Sequence, residues 1–185
     1  HGFGDTGAGL ESALHITELA DRLGFLYLYP DGTVNPAGDQ FWNATDACCD
    51  GYGTGVDDSG YLRGLIDATT GELNVDTDRV YVFGLSNGGF MSHRMACDHA
   101  DIIAGIASWA GATYLDPADC EPSEPVHVLE IHGTADASVR YNGGILQGDN
   151  PYPGAVETVE HWAAYNQCSL DPDLTAPPLN LDTGL

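Results

Sequence analysis

The chain has 185 residues, enough for a single sizeable core, and its 43% hydrophobic and 9% aromatic content is ordinary for a globular protein. Its charge is not ordinary, because 28 Asp and Glu stand against 5 Arg and no Lys, a formal net charge of -23. Such a surface repels phosphate backbones and anionic lipid headgroups, which argues against nucleic acid and membrane partners and suits a neutral substrate met in an extracellular medium.

Ala13, Ile16, Leu19, Ala20 and Leu23 recur at helical spacing and predict a first helix that Gly24 stops. The apolar run over residues 25–29 predicts a strand, closed by the turn signal Pro30-Asp31-Gly32. A polar, Gly-rich loop follows to about Gly55, and Leu62, Leu65 and Ile66 then mark a second helix whose N-terminal end Asp57 and Asp58 favour through the helix dipole. Residues 79–83 predict a strand, followed by a Gly-rich turn around Ser86, a helix ending near His99 and a strand from Ile102 or Ile103 to Trp109. Beyond a loop with Pro117, Pro122 and Pro125, residues 126–131 read as a fully buried strand. Residues 156–166 read as a helix whose apolar face, Val156, Val159 and Ala163, should point at the core. The stretch 169–185 is Pro-rich and without period. Apolar strands alternating with helices predict an α/β fold with a mostly parallel sheet, helices on both faces and right-handed crossovers. No repeat or linker interrupts the pattern, so residues 1–185 read as one domain.

Gly84-Leu85-Ser86-Asn87-Gly88 fits G-x-S-x-G, and it has the strand before it and the helix after it that the motif requires. A sharp turn there exposes the serine hydroxyl, and the flanking glycines admit backbone that a side chain would block. Ser86 is therefore the candidate nucleophile. Acyl transfer also needs donors for the oxyanion, expected from the amide of Asn87 and from an amide of an early loop. His1-Gly2-Phe3-Gly4 is that loop, with Phe3 N–H as the second donor.

The acid of a catalytic triad should follow the nucleophile at the end of a later strand, where Asp136 leaves residues 126–131 by a short Gly turn; Asp116 and Asp119 are its rivals. Only His161 follows Asp136, and it reads as a solvated residue of the last helix, while His132 comes too early in chain order. The catalytic histidine is accordingly expected beyond Leu185. Trp42 and Trp109 are candidates for lining an acyl pocket, Trp109 because it lies at the carboxyl end of a strand, and core packing is the competing reading for both. Asp46, Asp50 and Asp57 only faintly echo a calcium loop, since Cys48 stands where a ligand is needed, and no metal or cofactor is expected.

Five cysteines without paired C-x-x-C spacing argue for disulfides in an oxidising compartment. The helix leaving Ser86 descends about 16 Å to Cys97, at about 1.5 Å per residue, reaching the edge of the sheet opposite the nucleophile. Cys120 precedes a strand that starts at that same edge, which predicts a Cys97–Cys120 bridge.

At these residues the chain resembles the secreted polyhydroxybutyrate depolymerase and feruloyl esterase family of α/β-hydrolases. The matching stretches are His1-Gly2-Phe3-Gly4-Asp5, Phe41-Trp42-Asn43-Ala44 with Cys48-Cys49, Gly55-Val56-Asp57-Asp58, Gly84-Leu85-Ser86-Asn87-Gly88-Gly89, and His132-Gly133-Thr134-Ala135-Asp136 with Tyr141-x-Gly143-Gly144. The resemblance implies hydrolysis of an ester through an acyl-enzyme, with Ser86 and Asp136 in the triad and a feruloylated polysaccharide or a polyester as substrate. It also implies strands before the His-Gly loop and a later Gly-His segment, so the sequence reads as truncated at both ends, with Cys168 separated from its partner. The competing functions are a polymer- or carbohydrate-binding protein that kept the fold without catalysis, and a secreted serine peptidase of the same fold.

Overall fold

In the computed structural model, which describes residues 1–175, the first helical stretch is two helices, α1 (Gly7–Leu14) and α2 (Ile16–Leu23). His15 turns between them with φ 53. Thr6 Oγ1 accepts the Gly9 N–H at 2.9 Å and caps α1. The Glu11 carboxylate accepts the Ile16 and Thr17 N–H groups at 3.1 and 2.8 Å, filling the open donors of α2. A hydrogen bond from the Thr17 side chain first, and then those from the Thr17 and Ile16 amides, hold the Glu11 carboxyl below the usual carboxylate range. Gly24 ends α2 as expected, in the left-handed conformation.

A small hairpin follows, β1 (Thr33–Val34) against β2 (Gln40–Phe41), inside what the sequence reads as loop. Asp57 then caps α3 (Asp58–Glu72), accepting the Gly60 N–H at 2.8 Å. The remaining elements are β3 (Tyr81–Leu85), α4 (Asn87–Asp98), β4 (Gly105–Trp109), a 3-10 turn (Pro117–Asp119), β5 (His127–Ile131), the hairpin β6 (Gly144–Ile145) with β7 (Pro151–Tyr152), and α5 (Ala155–Tyr165). β3, β4 and β5 form a parallel sheet in that order, with Leu85, Trp109 and Ile131 aligned at its carboxyl edge.

One face of this sheet packs on α4 and α5. There Ala96, Ile103, Ile106, Val126 and Trp162 make one core cluster, and Phe90, Met91, Met95 and Trp42 make another. Cys97 and Cys120 are bridged with Cα atoms 5.1 Å apart, tying the far end of α4 to the loop before β5 as the topology predicts. Cys48 and Cys49 bridge each other, and Cys168 is exposed and unbridged.

Three expectations are corrected. Residues 25–29 form no strand ladder. An apolar cleft of about 1310 Å³, lined by Leu10, Leu23, Leu26, Tyr81, Phe83 and Leu129 among others, involves both this segment and β3. An extended segment without a neighbour at hydrogen-bonding distance has no ladder to join. β5 is not fully buried: Leu129 is 51% exposed, while the alternate residues Val128 and Glu130 turn inward, as the period of two requires. In α5 the buried face is Ala155, Thr158 and Trp162, with Val156 and Val159 exposed, because the largest side chain of the helix takes the core and sets its rotation. That rotation leaves His161 half-buried rather than solvated, with Nδ1 shielded and unpartnered among the described residues.

Candidate active site

Ser86 stands between β3 and α4 with φ 53 and ψ -117, a left-handed conformation that costs a residue with a Cβ about 1–3 kcal/mol and persists only where the surroundings over-determine it. The surroundings do so. The Ser86 N–H donates to Trp109 O at 2.7 Å, continuing the β3–β4 ladder, and Phe90 N–H returns to Ser86 O at 3.0 Å. A Cβ on Gly84 would collide with the Gly88 carbonyl, and one on Gly88 would lie 2.7 Å from His1 O. The turn therefore closes only because both positions are glycine, which is the physical content of the motif.

The His1-Gly2-Phe3-Gly4 loop lies against this turn. A Cβ on Gly2 would be 3.8 Å from Ser86 Cβ. The His1 ring takes Gly32 N–H on Nε2 at 2.9 Å, so its proton sits on Nδ1 and donates to Gly2 O at 2.8 Å. Among the described residues neither the Phe3 nor the Asn87 backbone N–H has a hydrogen-bond acceptor.

Trp42 and the Asn87 side chain hold the loop from beneath. Asn87 Oδ1 accepts Trp42 N–H, and Asn87 Nδ2 donates to Trp42 O, both at 2.8 Å. The Trp42 indole N–H donates to His1 O at 3.1 Å, and its ring lies 4.9 Å from that of His1. Trp42 is only 3% exposed, whereas Trp109, one strand over from Ser86, is 40% exposed at the carboxyl edge. Of the two tryptophans only Trp109 presents a ring to solvent there.

Below Trp42, Asp58 accepts Asn43 N–H at 2.6 Å and the Thr33 hydroxyl at 3.3 Å, and burial raises its pKa above the ordinary aspartate value. Arg94 donates to the Asn43 carbonyl at 2.7 Å.

Asp136 follows β5 at the same edge of the sheet as Ser86. Its Oδ1 accepts the Ser138 and Val139 N–H groups at 2.8 and 3.0 Å, and its own N–H bonds Gly133 O at 3.1 Å, so the carboxylate braces its own turn. Oδ2 accepts no hydrogen bond among the described residues and lies 4.0 Å from His132 Nε2. The rivals Asp116 and Asp119 sit at the 3-10 turn, where Asp116 caps Ala118 N–H at 2.9 Å. Among the described residues no histidine hydrogen-bonds to Ser86 Oγ; His161 stays on α5 beside Tyr165.

Sequence reasoning missed the Asn87 side chain as the clasp on Trp42, and it missed a buried run of polar groups, His93, Glu130 and His132. The signal for the second was present: a glutamate set among Val128, Leu129 and Ile131 in a strand needs a partner when it is buried.

A parallel sheet carrying a serine on a strained strand-to-helix turn, with a glycine-rich loop laid beside it, defines an α/β-hydrolase. The crystal structure of Arabidopsis thaliana SOBER1 shares that fold with a TM-score of 0.64 and 17% identity, over 90% of this chain and 81% of that one. Sequence carries the assignment further. The family described as Esterase PHB depolymerase matches residues 1–130, and the chain belongs to it. Feruloyl esterase B of Piromyces equi is 33% identical over 179 residues, which are 93% of this chain and 32% of that protein. The putative esterase NocK of Nocardia uniformis subsp. tsuyamanensis is 34% identical over 143 residues, 77% of this chain and 40% of that protein. The chain thus spans about a third to two fifths of the length of these relatives.

Proposed function

We propose that residues 1–185 contribute to one catalytic domain of a secreted serine carboxylic ester hydrolase that works through an acyl-enzyme. Ser86 attacks the ester carbonyl, the Phe3 and Asn87 amides hold the oxyanion, and Asp136 orients a histidine outside the described residues that takes and returns the proton. The observation that carries this reading is the left-handed Ser86 turn, followed by the unbonded Asn87 N–H and packed against the loop that carries the unbonded Phe3 N–H. The substrate is a feruloylated polysaccharide or a polyester, with Trp109 offering an exposed aromatic surface to an acyl group. The feruloyl esterase relative supports the substrate class, and the Cys97–Cys120 bridge and the acidic composition support an extracellular setting.

The test is turnover of aryl esters, feruloyl esters and polyester films by the full-length protein, with Ser86→Ala as the control. Replacing the nucleophile should lower kcat by a factor on the order of 10⁴ or more while leaving KM nearly unchanged. Unimpaired turnover by Ser86→Ala would remove Ser86 from the chemistry.

A further inference from the structure

Two buried side chains hold the segment that follows Asp136. His132 stands just beyond the end of β5 with its side chain 3% exposed, and its Nε2 lies 2.8 Å from the Val139 carbonyl. A carbonyl only accepts, so Nε2 carries the proton and donates it. That is the one hydrogen bond of the His132 ring among the described residues. From the other side Tyr152, the last residue of β7 and also 3% exposed, accepts the Arg140 N–H on its hydroxyl at 2.7 Å.

The Val139 carbonyl and the Arg140 N–H belong to one peptide unit, which is trans, so the two groups point in opposite directions from one plane. His132 and Tyr152 therefore grip the same unit at both ends, and turning its plane breaks at least one of the two bonds. The next unit back is tied to the carboxylate. Val139 N–H donates to Asp136 Oδ1 at 3.0 Å, beside Ser138 N–H at 2.8 Å. With Oδ1 taken by backbone, Oδ2 is the oxygen left for another donor. Tyr152 also reaches the Ser86 turn: its ring meets Phe90 edge-on at 5.7 Å, and Phe90 N–H is bonded to Ser86 O at 3.0 Å.

We propose that Tyr152 and His132 are positioning residues for Asp136, and that Tyr152 sets the spacing between the Asp136 turn and the Ser86 turn. Its ring packs on the one and its hydroxyl holds the other. Packing alone does not call for that hydroxyl, since a phenylalanine ring would meet Phe90 equally well. Among the described residues its one hydrogen bond is the one from Arg140 N–H. The hairpin that carries Tyr152 sits tightly on the same segment: Gly143 N–H bonds Arg140 O at 2.9 Å, and a Cβ on Gly143 would lie 2.7 Å from Tyr152 O. The chemistry needs such a hold because the acid's free oxygen must meet the imidazole within hydrogen-bond reach, about 2.6–3.2 Å. A turn that drifts by about 1 Å loses rate while the groups that bind substrate are untouched.

This inference rests on the reading of Asp136 as the triad acid, and the experiment separates the two. In the full-length protein, kcat and KM for an aryl ester are measured for wild type, Tyr152→Phe, His132→Gln, His132→Leu and Asp136→Asn. Tyr152→Phe and His132→Leu are then each combined with Asp136→Asn. Asp136→Asn should lower kcat by about 10⁴. Tyr152→Phe should lower kcat about fivefold and His132→Leu about tenfold, each with KM nearly unchanged. His132→Gln, whose side-chain N–H can take the place of the ring Nε2–H, should stay within about threefold of wild type. Because both residues act through Asp136, neither change should move the residual kcat of Asp136→Asn by more than about twofold. Full activity in Asp136→Asn would overturn the triad reading and this proposal with it. With Asp136→Asn impaired, full activity in Tyr152→Phe would overturn this proposal alone. So would a Tyr152→Phe loss of the same factor in both backgrounds, the mark of a merely structural hydroxyl. A His132→Gln as impaired as His132→Leu would overturn the part assigned to His132. Should His132→Leu fail to fold, Tyr152→Phe, which removes a single oxygen atom, decides.

Discussion

The carboxyl edge of the sheet and the flank of β3 belong to the same strands and are packed in opposite ways. At the carboxyl edge, backbone approaches backbone so closely that Gly84 and Gly88 tolerate no Cβ, and Trp42, Asn87 and His1 join their polar atoms into a closed set of hydrogen bonds. Along β3 the apolar cleft leaves Tyr81 and the residues of segment 25–29 largely exposed. The difference teaches where this fold stores precision. A serine held in a strained conformation needs neighbours that cannot relax, and those neighbours are supplied by backbone contacts and paired amides rather than by apolar area.

The sharpest way to break this contrast is Trp42→Ala, which removes a large buried side chain and the donor to His1 O. It should cost about 3–5 kcal/mol in denaturant unfolding. A loss under about 1 kcal/mol would show that the edge relaxes as freely as the cleft.

Asn87→Ala comes next. It keeps the Asn87 backbone amide but leaves the Trp42 N–H buried without a partner and the Trp42 C=O with only the Cys49 N–H at 3.3 Å, for an expected cost of about 1–3 kcal/mol. A fall in kcat with little change in KM should accompany it, because the loop carrying Phe3 loses its clasp. Stability data alone would not separate the two effects, so the kinetic split is the measurement that matters.

On the other side of the comparison, Tyr81→Thr should change stability by no more than about 0.5 kcal/mol, since the ring is exposed and a β-branched residue suits a strand. Light scattering should show reduced self-association, because an apolar strand flank with unpaired backbone is an aggregation template. A Tyr81→Thr loss as large as that of Asn87→Ala would mean that the cleft is filled in solution and that the contrast is false.

Much of the fold and part of the site are legible in the amino-acid sequence. The G-x-S-x-G turn is local: two glycines and a strand-helix boundary within a few residues dictate a conformation that Ser86 then adopts. The Cys97–Cys120 bridge follows from helix rise and strand direction, which are properties of regular structure and do not depend on side-chain packing. The end of the first helical stretch at Gly24 and the helix start at Asp57 and Asp58 are readable for the same reason.

Other features depend on what each residue meets in space. The apolar period of residues 25–29 is that of a strand, yet a strand exists only where a partner offers hydrogen bonds, and no ladder forms there. The rotation of α5 escapes the sequence because Val156, Val159 and Ala163 are as good a stripe as Ala155, Thr158 and Trp162 until the shape of the core selects Trp162. His93 is remote in sequence from Glu130 and His132, and it meets Glu130 only because α4 packs on the sheet. Sequence by itself determined the sharp turn at Ser86, the alternation of strand and helix, and the long bridge, because short-range geometry suffices for each. Tertiary structure alone decided which aromatic ring is buried, which amides are left free and which acids and histidines share a site, because those depend on distances between segments that no periodicity encodes.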